Sequence, residues 1–135
     1  MEREILFRGK RVGIKEWVYG FFVKDPLGHS RIYWQPFEDA TSNTYHFVIS
    51  ETVGQFTGLL DKNGVKIFDG DIINCPEVQK RKLVDVFGII EYAEDRFTIK
   101  WITKTCWNNS IHVRVNDVIV VGNIHDKSEL LNSEL

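Results

Sequence analysis

The sequence has only two cysteines, no long apolar run and no marked excess of charge of either sign, and each absence excludes a class of protein. Cys75 and Cys106 lie far apart and form no CxxC pair, so their spacing does not suggest a zinc site. The start, residues 1–4, is charged and no apolar secretion segment follows it. No apolar run approaches the roughly 18 residues that a membrane span requires. We therefore expect a cytoplasmic protein without a membrane partner, in which both thiols are reduced.

The charge balance argues against a protein that gathers nucleic acid over its whole surface. Seventeen basic and nineteen acidic residues give a formal net charge of -2, whereas nucleic-acid binders present a basic footprint. The usual signatures of nucleotide sites and hydrolases, GxxxxGKS/T, GxGxxG and GxSxG, do not occur in the sequence. We therefore predict that the protein is not an enzyme and takes no cofactor.

What the sequence does contain is the composition of a β-rich globular chain. Its 135 residues are 43% hydrophobic and 13% aromatic, and a chain of this length buries roughly two thirds of its unfolded surface on folding. Aromatic side chains are enriched in strands. The composition therefore favours sheet over helix.

Short apolar runs separated by glycine and charge predict strands at a spacing of roughly eight to twelve residues, which is typical of a sandwich or a small barrel. We expect an all-β fold of small antiparallel sheets or a barrel. It would comprise an N-terminal β subdomain over residues 1–55 and a C-terminal domain over 56–135, or one continuous domain. After Phe56 the order of turns and strands is analogous to an SH3-like barrel. A short helix is predicted at the C-terminus, where Asp126 and Glu129 have capping-box spacing. Besides the two runs that flank Asn63-Gly64 and the short run Ile72-Ile73, the predicted strands cover residues 5–11, 16–23, 32–34, 45–49, 84–92, 97–101, 111–115 and 118–121. Loops are predicted over 38–44 and 75–82.

The strongest local signal is a hairpin at Asp61-Lys62-Asn63-Gly64. Asn63 and Gly64 lie between two apolar runs, and Asn-Gly favours the positive φ angles of a two-residue type I′ turn. A second turn follows at Asp69-Gly70-Asp71. We predict that Asp61, Asn63, Gly64, Gly70 and Asp71 are structural turn residues.

Three stretches are more specific than any propensity. They are REILFRGK at residues 3–10 with EWVYG at 16–20, VGQFTGLLDKNGVKIFDGDII at 53–73, and VVGNIHDKSELL at 120–131. Together, and in order along the whole chain, they closely resemble the YopX family of bacteriophage and prophage proteins. The centre of the resemblance consists of Thr57, Gly58, Leu59, Asp61, Asn63, Gly64, Ile67, Phe68, Gly70 and Asp71.

The resemblance implies an all-β fold, plausible oligomers and no known activity. The chain departs from the family pattern at Ser50-Glu51, where Asp-Pro is commoner, and residues 37–49 match nothing recognisable in it. A variable recognition surface, if the family has one, is expected there. The resemblance and the lack of a catalytic constellation predict a phage accessory protein that binds a host or phage protein and forms a homo-oligomer.

A nucleic-acid-binding barrel is the alternative from another class. It would use the basic residues Lys80, Arg81 and Lys82 together with Trp107, which lies among polar neighbours and is predicted to be exposed. Trp101 alternates in phase with Phe97 and Ile99 and is therefore predicted to lie in the core.

An enzyme or a metal site is the third alternative. Asp61, Asp69 and Asp71 would form its carboxylate cluster, but turn chemistry explains all three. They also lack the ligand spacing of an EF-hand calcium loop. The histidines show no zinc-ligand spacing, and both thiols are predicted to be small buried hydrophobes. The four histidines are His29, His46, His112 and His125, and Cys106 with His112 is the candidate nucleophilic pair.

Overall fold

The structure, a computed structural model, describes residues 4–34, 45–93, 95–102 and 117–126. The chain divides into two compact units, residues 1–56 and 57–135. The predicted all-β class is confirmed: within the described residues there are twelve strands, and Ser50–Thr52 is the one helical segment, a 3-10 turn. The division into separate domains at residue 55 stays a prediction. None of the described residues belongs to a helix with the length and apolar character of a membrane span.

The first unit is built on an antiparallel sheet that follows the predicted apolar runs. Its spatial order is β4-β3-β2-β1-β5, so successive strands are neighbours from β1 to β4. The last strand begins in the first unit and ends in the second. The strands are β1 (Phe7–Lys10), β2 (Trp17–Lys24), β3 (Ser30–Tyr33), β4 (Tyr45–Phe47) and β5 (Gly54–Leu60).

Backbone bonds beyond the end of β4 connect it back to β1. Arg11 and Val48 form an antiparallel bridge, and the Ile49 N–H donates to the Lys10 carbonyl at 2.8 Å. The four strands therefore curve around one interior.

Ile32 and Val48 fill that interior, where they are almost fully buried. Gly9 allows the strands to approach, because a Cβ at this position would lie 3.1 Å from Val48 Cβ and 3.3 Å from Ile32 Cδ1. The side of the sheet that carries Ile32 is thus the core side of the first unit.

The second unit contains a four-stranded antiparallel sheet of order β11-β10-β7-β12 and a separate two-stranded ribbon, β8-β9. Its remaining strand, β6, is the neighbour of β5. The strands are β6 (Lys66–Phe68), β7 (Asp71–Asn74), β8 (Glu77–Gln79), β9 (Lys82–Val84), β10 (Phe87–Ala93), β11 (Arg96–Trp101) and β12 (Ile119–Asn123).

The core of the second unit contains Cys75 among aliphatic side chains. Cys75 is 2% exposed within this cluster, which confirms its predicted role as a small buried hydrophobe; Cys106 lies outside the described residues. Ile99 is buried, and Phe97 and Trp101 pack against the cluster, so the predicted core alternation in this strand is confirmed. The buried members of the cluster are Ile67, Ile73, Cys75, Ile90, Ile99 and Val118.

Two predictions for residues 75–92 were wrong in detail. Residues 75–82 are not all loop, because most of them form β8 and the turn of the β8-β9 ribbon. The single strand predicted over 84–92 is interrupted between β9 and β10 at Asp85-Val86.

The remaining fold predictions concern the SH3-like barrel, the C-terminal helix, the hairpin at 111–121 and the loop at 38–44. The four-stranded sheet has β11 and β12 as its edges among the described residues, and the SH3-like barrel stays a prediction. The C-terminal helix and the first strand of the hairpin at 111–121 lie outside the described residues, as does the loop at 38–44.

Candidate functional site

The outer side of the first unit's sheet carries a block of aromatic side chains, which we call the aromatic face. Cross-strand partners share one side of a sheet, and the register pairs Phe21 with Tyr33, Tyr33 with Tyr45, and Arg31 with both Val23 and Phe47. The members of the aromatic face are Tyr19, Phe21, Val23, Arg31, Tyr33, Tyr45 and Phe47.

The aromatic face is substantially exposed. Phe21 retains 46% of its accessible surface and Phe47 retains 45%, although each is a large apolar side chain and Phe21 lies on an inner strand of the sheet. Tyr19 and Val23 are similarly exposed. A contiguous apolar patch of this kind marks an interaction surface in soluble proteins.

The rings on β3 and β4 contact one another and hold the face in a defined shape. The ring centroids of Tyr33 and Tyr45 are 5.3 Å apart, and those of Tyr45 and Phe47 are 5.4 Å apart in an edge-to-face arrangement. Aromatic pairs favour such separations. The Arg31 guanidinium lies over both Tyr45 and Phe47, 4.9 Å and 5.2 Å from their centroids.

The charge of Arg31 is balanced locally. Its Nη2 lies 3.0 Å from Asp25 Oδ2. Asp25 also accepts the backbone N–H of His29 at 2.8 Å, and this bond is the main reason that the pKa of Asp25 is lowered. Asp25 is therefore ionised at neutral pH. Because Arg31 is paired with it, this cation is less available to an anionic ligand.

A cavity of about 700 Å³ adjoins the aromatic face at the edge strand β4. His46 lies in its wall, and its ring stacks on that of Trp34 with an interplanar angle of 9°. Burial lowers the pKa of His46, and the charge of Arg11 lowers it further. His46 is consequently neutral at physiological pH. The lining residues are Arg11, Val12, Gly28, His29, Ser30, Tyr45, His46, Phe47, Val48 and Ser50.

Asp61 has a structural role in the second unit. The side chain is 6% exposed, and its Oδ1 accepts the backbone N–H groups of Asn63 at 2.8 Å and Val65 at 2.9 Å. Its Oδ2 accepts the N–H of Val120 at 2.9 Å. Both carboxylate oxygens are thus engaged by the backbone.

The predicted type I′ turn at this hairpin was wrong. The Gly64 N–H donates to the Asp61 carbonyl at 3.0 Å, so the central turn residues are Lys62 and Asn63. Asn63 does not have positive φ, whereas Gly64 has a φ of +82°. Asp first and Gly fourth is the pattern of a type I turn followed by a left-handed glycine.

The second turn is also fixed by a carboxylate. Asp71 is 1% exposed, and its Oδ2 accepts the backbone N–H of Phe68 at 2.7 Å. Gly70 has a φ of +92°, a conformation that favours glycine. Among the described residues, no group of three or more His, Cys, Asp or Glu side chains is placed to hold a metal ion.

The basic residues predicted for nucleic acid lie at the end of the β8-β9 ribbon. Lys80 and Arg81 are the two turn residues, and Lys82 begins β9. All three are exposed. Trp107, the aromatic predicted to accompany them, lies outside the described residues, as do Cys106 and His112.

The aromatic face was not identified from the sequence. The alternation of Tyr19, Phe21 and Val23 was present, but Val18 and Phe22 between them are also apolar. The sequence pattern therefore did not indicate which side faced solvent. Only the register with β3 and β4 gathers the aromatic residues of three strands on the outer side.

The sequence matches a family described as "YopX protein" over residues 6–132. Among solved structures, the crystal structure of protein EF1440 from Enterococcus faecalis is similar, with a TM-score of 0.60 and 25% sequence identity. That similarity covers 96% of this chain and 99% of that chain. No protein in the curated set matches the chain.

Proposed function

Because the chain belongs to the YopX family, we propose that it is a non-enzymatic accessory protein of phages and prophages that associates with itself through the aromatic face. A protein partner from the host or the phage would bind the same surface by displacing the second copy. The observation that carries the proposal is the exposure of Phe21 and Phe47 within a preformed aromatic block.

A protein surface suits the aromatic face better than a polyanion does. The face is mainly apolar, and its cation Arg31 is paired with Asp25. Aromatic residues and arginine are also the types enriched in the centres of protein interfaces. Tyr33, Tyr45 and Phe47 pack on one another, so binding would require little further ordering of these rings.

The non-enzymatic part of the proposal is supported by the state of the turn carboxylates. Asp61 accepts backbone N–H groups with both carboxylate oxygens, and Asp71 accepts one with its Oδ2. Acid–base or metal chemistry would need these oxygens. The rival enzyme hypothesis rests on these two residues together with Asp69.

Self-association is tested by light scattering coupled to size-exclusion chromatography over a range of concentrations. The native protein should elute as a dimer or a larger oligomer. A Phe21→Thr/Phe47→Thr double variant should be monomeric, because threonine keeps strand propensity and removes the rings.

Leu27→Thr is the matched control. Leu27 is a highly exposed apolar residue of the same unit, but it lies in the turn between β2 and β3 and outside the aromatic face. This variant should keep the native mass. A native protein that is monomeric at high concentration, or a double variant that keeps the native mass, would refute the proposal.

A further inference from the structure

The β8-β9 ribbon has features that the proposed function does not use. It is a two-stranded sheet of its own, with Val78 paired to Leu83 and Gln79 paired to Lys82. Its two-residue turn consists of Lys80 and Arg81, with φ angles of +49° and +66°.

This backbone conformation is unusual for the residues that adopt it. Two consecutive positive φ angles define a type I′ turn, where Asn-Gly is the favoured pair. Lysine and arginine gain nothing locally from a left-handed conformation, which is unfavourable for residues with a Cβ. A strained turn that carries charged side chains is a reason to look for a function of those side chains.

The cations at the end of the ribbon are available for a ligand. Lys80, Arg81 and Lys82 are consecutive and exposed, and no ion pair or hydrogen bond of their side chains is formed with the described residues. The nearby acids are placed at the base of the ribbon. Asp85 accepts a bond from Asn74 at 3.0 Å, and Glu77 accepts one from Gln79 at 2.8 Å.

The two sides of the ribbon differ in chemistry. Val78 and Leu83 form an apolar pair on one side and are 72% and 73% exposed. The opposite side carries Gln79 and Lys82. Neither apolar side chain is covered, so the pair is accessible to a ligand that also engages the basic tip.

The base of the ribbon is well anchored. The Cys75 N–H donates to the Val86 carbonyl at 2.8 Å, and the Val86 N–H donates to Asn74 Oδ1 at 3.1 Å. These bonds continue the β7-β10 pairing outwards into the ribbon. These bonds attach the base of the ribbon to the second unit's sheet.

We infer that the β8-β9 ribbon is a binding site for double-stranded DNA, with Lys80, Arg81 and Lys82 contacting phosphates. The major groove of B-form DNA admits a two-stranded β-ribbon. A ribbon that lies along the groove presents one of its two sides to the base edges. Val78 and Leu83 would face the base edges, where thymine methyl groups offer apolar contacts.

The test uses fluorescence anisotropy of a labelled DNA duplex at a series of salt concentrations. The native protein should bind at low salt and lose affinity as salt rises, because phosphate contacts release counterions. The test variant is Lys80→Asn/Arg81→Gly, which replaces the strained pair with the pair that type I′ turns favour.

This variant should bind more weakly while unfolding at the same or a higher temperature. Loss of two phosphate contacts should reduce the slope of log affinity against log salt by about 1.8. The control, Lys62→Gln/Lys100→Gln, removes two exposed lysines elsewhere in the second unit and should retain most of the affinity and slope.

Several results would overturn the inference. These are absence of duplex binding at low salt, unchanged binding by the Lys80→Asn/Arg81→Gly variant, or an equal loss in the control. Tighter binding to single strands, to double-stranded RNA or to phosphatidylserine vesicles would also overturn it, since it would assign the ribbon to another ligand.

Discussion

The Asp61 carboxylate accepts the backbone N–H of Val120 at 2.9 Å across 59 positions of sequence. The same side chain accepts two N–H groups of its own turn. A single acidic residue therefore joins the hairpin after β5 to the strand β12. In this way the most recognisable turn of the sequence also contributes to tertiary structure.

Replacing Asp61 should destabilise the second unit substantially. Asp61→Ala removes three hydrogen bonds to a buried carboxylate and leaves backbone donors without that acceptor, so we expect a loss of about 3 kcal/mol or more in the free energy of unfolding. Urea denaturation measures the loss, and hydrogen exchange should show faster exchange of the Val120 amide. A variant with a native urea midpoint and a native Val120 exchange rate would contradict this role.

The stability of the turn should require Gly64 only because of its left-handed backbone conformation. Its φ is +82°, and a Cβ at this position would meet no atom within 4 Å. Gly64→Val should therefore lower the stability by about 2 kcal/mol through the left-handed conformation, and Gly64→Asn should cost less. Equal melting temperatures for Gly64→Val and the native protein would show that the turn can change type without cost.

The stability of the first unit should require Gly20 because there is no room for a side chain at this position. A Cβ here would overlap the carbonyl oxygen of Tyr33, so Gly20→Ala must move strands that support the aromatic face. We expect a loss of about 3 kcal/mol. The control Gly28→Ala has open space at its Cβ and should lose only about 1 kcal/mol through its positive φ. Similar losses for the two variants in thermal unfolding would exclude a steric role for Gly20.

Whether a feature can be predicted from the sequence depends on how far apart along the chain the interacting residues lie. Alternation identified the strand that contains Phe97, Ile99 and Trp101, because their periodicity is local. The predicted turn type at this hairpin was wrong because the prediction used Asn-Gly alone. It left out the side chain of Asp61, which accepts two backbone N–H groups of the turn.

The candidate sites depend on interactions that the sequence does not display. Nothing in the order Lys80-Arg81 predicts a two-residue turn, because neither residue favours positive φ. The aromatic face requires the register that pairs Phe21 with Tyr33 and Tyr33 with Tyr45. That register is set by turns and long-range packing.

His46 should make the stability depend on pH. Burial lowers its pKa from the usual 6.5, so below that value the unfolded chain binds a proton that the folded protein does not. The contribution of neutral His46 to the free energy of unfolding should be fully present above about pH 6.5. It should fall as the pH drops towards the lowered pKa. Thermal unfolding between about pH 7.5 and about pH 5 measures this decline, and the decline should be smaller in His46→Gln. Identical pH profiles for the two proteins would contradict this assignment.

The central claim is that the aromatic face is the surface through which the protein associates. Hydroxyl-radical footprinting read by mass spectrometry tests it directly, with Tyr19 on the aromatic face and Tyr92 as an exposed tyrosine elsewhere. As the protein concentration rises, labelling of Tyr19 should fall while labelling of Tyr92 stays constant. The Phe21→Thr/Phe47→Thr variant should lose the protection of Tyr19. Labelling of Tyr19 that does not change with concentration would contradict the account.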